Sequence, residues 1–162
     1  SAREMYEERM RGHDRVTFTG PVPREDLPVV YGGADILLFP GRTDTFGLPI
    51  LEAQACGVPA IVADMGSAGD IVDHGATGFV MPSHDVAGWA AQVRDVLSLI
   101  DTDPDGYGRM CTAARERAVE KFGWDAVLRD MLDGASGSDD EQVEDGQVEE
   151  SVESREPALA VG

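Results

Sequence analysis

Apolar positions along residues 1–133 follow two rhythms. Short unbroken runs read as strands: ILLF within residues 35–40, AIVA within 59–63 and GFVM at 78–81. Continuous apolar character is what a parallel sheet covered on both faces requires. VTFT at 16–19 reads as a further strand, ended by Gly20 and Pro21. Helical patterns separate these runs. One covers 24–34, started near Pro23 and closed by Gly32 and Gly33. A second covers 48–56, with Pro49 in its first turn and Gly57 at its end. A helical turn is expected at 69–73. Val86, Trp89, Ala90, Val93, Leu97 and Ile100 then repeat at helical spacing. Residues 107–122 and 124–132 read as closing helices, and 1–12 as an opening one. Strand and helix alternate four times, so the expected fold is α/β with a Rossmann-like, doubly wound parallel sheet. Ligands of such sheets bind beyond the carboxyl ends of the strands. Loops 20–23, 40–47 and 64–69 are expected at that edge.

Residues 134–162 break the pattern. They lack aromatics and any sustained apolar period, and read as an acidic disordered tail, a solvated extension. The chain has 31 acidic and 13 basic residues, for a net charge of −18. The tail carries nine of the acids and one of the bases, so residues 1–133 are acidic too. No nucleic-acid partner is expected at this charge, because its phosphates would be repelled. Lys121 is the sole lysine. Abundant surface acid with little lysine suits a halophilic protein, whose self-repulsion is screened by strong salt; a mesophile with an acidic tail is the alternative. No run approaches the roughly 20 apolar residues that span a bilayer, and no signal peptide is visible. The expectation is a soluble, cytoplasmic chain. Cys56 and Cys111 are too few for a disulfide framework, and Cys56 reads as a small core residue. His13, His74 and His84 show no ligand spacing, so no metal is expected.

The candidate chemistry lies between Phe39 and Asp64. A strand ends at Pro40, and a polar loop follows through Gly41, Arg42, Thr43, Asp44 and Thr45. Phe46 and Gly47 then open a helix at Leu48. The first N–H groups of a helix lack partners within it and, with the dipole, attract anions. Gly47 would let a phosphate approach the backbone. Glu52 shares a helical face with Leu48, Ala55 and Cys56 and has no basic residue three or four positions away. Such a carboxylate calls for a hydrogen-bond donor, and a ribose diol supplies two. Alone, Glu52 reads as a solvent-facing helix residue and Asp44 as a cap or Asx turn.

The pair together carries more. An acid, seven residues and a glutamate, with FGLP between them and AQACGVP after, resembles the retaining GT-B glycosyltransferases of family 4, called group 1. Segments 16–40 and 65–82 and Trp124 continue the likeness over roughly residues 10–132. Asp44 stands where the family usually has Glu, Ser67 where a second glycine is common, and Asp70 where Glu is common. The resemblance implies that residues 1–133 are a partial donor domain, the C-terminal half of a GT-B fold. It implies transfer of a hexosyl-type sugar from a nucleotide sugar to an unknown acceptor, with retention. Asp44 and Glu52 would be the catalytic acids, Asp44 on the transferred sugar and Glu52 on the ribose. Gly20 and Val22 would lie against the base. Arg42, Thr45, Phe46, Gly47 and Leu48 would complete the donor-binding set around the diphosphate. No cofactor and no metal is implied. The family's N-terminal domain, with the acceptor side and any peripheral membrane contact, is expected to be missing. So is the family's basic phosphate-binding pair, and the isolated chain is expected to transfer little. A GT-B sugar-nucleotide epimerase or a non-catalytic binding fragment are the alternatives.

Overall fold

The structure, a computed structural model, describes residues 2–43 and 45–136. Its frame is a three-stranded parallel sheet in the order β1 (Leu37–Phe39), β2 (Ala60–Ala63), β3 (Gly78–Met81). Helix α3 (Leu48–Ala55) returns the chain from β1 to β2, and α4 (Ala68–Ile71) from β2 to β3. Adjacent parallel strands need such crossovers. Before β1 come α1 (Ala2–Arg9), a 3-10 turn (Arg24–Asp26) and α2 (Leu27–Gly32); after β3 come α5 (Val86–Thr102), α6 (Pro104–Phe122) and α7 (Trp124–Ser136).

The register aligns Leu37 with Ala60 and Gly78, and Phe39 with Val62 and Val80. Side chains alternate across a strand, so Leu37, Phe39, Ala60, Val62 and Val80 share one face. Ile50 of α3, Ala68 and Ile71 of α4, and Val72 form the core with Ala60 and Val62, with Leu51 and Phe122 packed against it. Ile50 is fully buried, which stabilises the fold by roughly 1.5–3 kcal/mol. The ladder also dictates a glycine. A side chain on Gly78 would set its Cβ 2.0 Å from the Ala60 carbonyl oxygen.

Caps and clamps hold the helices. Asp85 and Asp103 each accept, at 2.9 Å, the amide three residues on and so start α5 and α6. Helix α6 is fastened to main-chain carbonyls elsewhere. Tyr107 donates to Asp35 O at 2.7 Å, and Arg115 to Ala55 O at 2.5 Å. Arg117 donates to Ile71 O at 2.7 Å and Asp70 O at 2.9 Å. Fully buried Gln54 ties α3 to the turn before β3 by donating to Thr77 O and Oγ1, both at 3.2 Å.

Three expectations change. Residues 16–19 form no strand; Val16 and Phe18 remain exposed. Apolar composition does not make a strand without a ladder, and none of the described strands pairs with this segment. The run at 35–40 is not covered on both faces, because Leu38 of β1 is 47% exposed. Helix α7 continues to Ser136, past the expected helix end at 132. The rest of the expected tail, 137–162, lies outside the described residues.

Candidate functional site

Two loops leave the carboxyl ends of parallel neighbours and therefore share an edge: 40–47 after β1 and 64–67 after β2. They touch there, with Arg42 Nε 3.4 Å from Met65 Sδ. The turn after β3 joins them, since Ser83 N donates to Asp64 Oδ1 at 3.0 Å. Loop 20–23 follows no strand, so the sheet does not bring it to this edge.

Gly47 makes the bend into α3. Its φ is +64°, and a Cβ there would lie 2.3 Å from Ile71 Cδ1 and 3.4 Å from Ser67 Oγ. Ser67 Oγ is buried without a partner among the described residues. The Gly47 carbonyl accepts from Ile50 N at 2.9 Å and Leu51 N at 3.1 Å. Pro49 has no N–H, so among the described residues the Leu48 amide is the first-turn donor not committed to Gly47. Phe46 is 75% exposed and Leu48 also projects into solvent, so the loop offers apolar surface beside its hydroxyls. Asp44, the first expected acid, lies outside the described residues.

Glu52, half-buried on the second turn of α3, stands between two cavities. On one side Thr43, Thr45, Phe46, Leu48, Pro49 and Glu52 line a hollow of about 540 Å³. On the other, Arg24, Leu27, Pro28, Tyr31, Glu52, Ala55 and Cys56 line a mostly apolar one of about 250 Å³. The Tyr31 hydroxyl donates to Glu52 Oε2 at 3.3 Å. Burial raises the Tyr31 pKa above its usual 10.0, and the Glu52 charge and hydrogen bond raise it further. A wider depression of about 650 Å³ along α6, around Asp105 and Arg109, contains none of the expected residues.

The structure thus brings Thr45, Phe46, Leu48 and Glu52 to one cavity, with Gly47 as the hinge beneath it. Gly20 and Val22 line neither cavity beside Glu52, and Arg42 lies across Met65. Cys56, expected in the core, is half-buried in the wall of the apolar cavity. Sequence reasoning did not select Arg24, Leu27, Pro28 or Tyr31. Their spacing of three, four and seven marks one helical face, a signal that points at a partner without saying it is Glu52.

Residues 5–116 match the family of glycosyl transferases group 1. The chain is 37% identical over 122 residues to a D-inositol 3-phosphate glycosyltransferase of Salinispora tropica, covering 74% of this chain and 24% of that one. Its structure aligns with the sucrose-phosphate synthase of Thermosynechococcus elongatus at a TM-score of 0.70 and 30% identity, over 82% of this chain and 32% of that one. It also aligns with HepE of Anabaena, solved with UDP and with UDP-glucose; the UDP complex gives a TM-score of 0.68 at 24% identity, over 83% of this chain and 36% of that one. The chain therefore belongs to the group 1 glycosyltransferases, and its fold is part of the GT-B fold. It spans 24% of the length of that sequence relative from Salinispora.

Proposed function

We propose that this chain, as a group 1 glycosyltransferase, is the donor-binding part of an enzyme that moves a hexosyl-type sugar from a nucleotide sugar to an acceptor with retention of configuration. One observation carries this reading: Glu52 stands between a mostly apolar cavity and a second one that Thr43 and Thr45 help to line. A nucleotide sugar has that order, with its ribose between base and diphosphate. The base would occupy the cavity of Leu27, Pro28 and Cys56, with loop 20–22 closing from the Arg24 side. The ribose hydroxyls would donate to Glu52, which accepts from both more readily than any neutral side chain. The diphosphate would lie over the amides at 46–48 and the positive end of α3. Asp44 would contact the transferred sugar.

In the reaction the bond from the anomeric carbon to the diphosphate oxygen breaks. A bond to the acceptor oxygen forms on the same face, and the acceptor's proton passes to the leaving phosphate. Stabilising the charge that develops on that phosphate is the main catalytic contribution of this half. The reading assigns the task to backbone amides and the helix dipole, without a metal or cofactor. The acceptor, a glycan, lipid or small molecule, would be held by a part of the enzyme outside this chain. The isolated chain therefore binds donor and transfers little.

Calorimetric titration of UDP-, GDP- and ADP-sugars in high salt, on the wild type and Glu52→Ala, tests the reading. At least one donor should bind, and the substitution should weaken it by about tenfold or more. Binding to none would overturn the donor reading. Nucleotide release in steady turnover by the isolated chain would overturn the division of labour.

A further inference from the structure

Glu52 is not held by its own helix. Positions 48, 49, 55 and 56 are Leu, Pro, Ala and Cys, none of which has a side-chain N–H or O–H to offer a carboxylate. Its protein donor among the described residues comes from α2, across the cavity, as the Tyr31 hydroxyl at 3.3 Å from Oε2. A glutamate has three rotatable bonds, and an unanchored one loses that freedom when it binds. A carboxylate has two oxygens and about four acceptor sites. A donor on Oε2 leaves Oε1 with its lone pairs uncommitted. The tyrosine ring is half-buried and lines the cavity wall with Leu27 and Pro28, and its side chain has fewer rotatable bonds than the glutamate it faces. The hydroxyl keeps its proton beside Glu52, because burial and the adjacent charge both raise its pKa.

We propose that Tyr31 is a positioning residue for donor recognition: by donating to Oε2 it sets the Glu52 carboxylate at the boundary of the two cavities and leaves Oε1 to accept from the ribose diol. The proposal rests on the reading of Glu52 as the ribose-binding group. It makes α2, and not only α3, part of the machinery that separates ribonucleotides from their deoxy counterparts.

The test measures the binding of UDP, GDP and ADP, each paired with its 2′,3′-dideoxy form, to the wild type, Tyr31→Phe and Glu52→Gln. Tyr31→Phe keeps the ring and the apolar wall and removes one hydroxyl. In the wild type the best-bound diphosphate should be preferred over its dideoxy form by about a hundredfold or more, as two hydroxyls on a carboxylate imply. Tyr31→Phe should cut that preference to about a third or less, with little change for the dideoxy ligand. Glu52→Gln should cut it further. A purely structural tyrosine would weaken both ligands alike, and that result overturns the proposal. If Glu52→Gln collapses the preference and Tyr31→Phe preserves it, the tyrosine inference falls and the donor reading stands. If Glu52→Gln preserves the preference, or no diphosphate binds, both fall.

Discussion

Gly47→Ala probes the hinge on which the site turns. Alanine at φ +64° costs about 1–2 kcal/mol from backbone sterics. The new Cβ would also meet Ile71 Cδ1 at 2.3 Å, against an optimal carbon separation of about 3.5–4.0 Å. More than an ångström must be found. Ile71 is 2% exposed and belongs to the core cluster with Ile50 and Val62, so its methyl has no open space to enter. Overpacking of this kind costs about 1–3 kcal/mol, which brings the substitution to roughly 2–5 kcal/mol. The overlap involves one atom, and Ile71→Val deletes that atom at its own cost of about 0.5–1.5 kcal/mol. The two changes should therefore not add. In urea unfolding the double variant should be more stable than the sum of the singles predicts, by about 1–3 kcal/mol. The backbone cost should remain. Additivity to within about 0.5 kcal/mol would mean that the loop, and not Ile71, moves to admit the methyl, and would refute the reasoning.

Arg117→Met should lower stability by about 1–3 kcal/mol, because Ile71 O and Asp70 O at the end of α4 lose their donor; an unchanged thermal midpoint would show that solvent replaces the guanidinium at no cost. Alkali should unfold the chain early. Burial raises both Tyr31 and Tyr107 above 10.0, with Glu52 next for Tyr31 and Cys111 next for Tyr107. The unfolded chain gives up these protons first as pH rises, so their contribution is complete below pH 10.0 and is lost as pH climbs through the higher folded values. Stability measured from about pH 9 to about pH 12 should fall with a slope that Tyr107→Phe reduces; an identical slope in the variant would count against the hydroxyl bonded to Asp35.

Much of the sheet was legible because its signal is local. The runs at 59–63 and 78–81 became β2 and β3, and the Pro49-to-Gly57 interval became α3. Residues 16–19 show where that logic ends. Their apolar composition matches a strand, but pairing is a property of the neighbour, and no described strand supplies one. Leu38 fails for the same reason, since coverage of a face is decided by what packs on it. At the site, the need of Glu52 for a hydrogen-bond donor was legible from its lack of basic neighbours. The donor present in the protein was not. Tyr31 is 21 positions away, and nothing in either helix specifies how α2 and α3 meet.

Among the described residues, the side-chain hydrogen bonds from α6 to other elements end on carbonyl oxygens, those of Asp35, Ala55, Asp70 and Ile71. A carbonyl is the same whatever residue bears it, so these bonds are blind to the side chains they restrain. Asp35 precedes β1, Ala55 ends α3, and Asp70 and Ile71 end α4. Each held point adjoins an element that carries cavity residues or borders one of the two loops. The frame can therefore stay in register while the residues at its front are exchanged. A library that varies residues 41–46 and 64–67 should yield a substantial share of folded members, because the clamp reads backbone and not side chains.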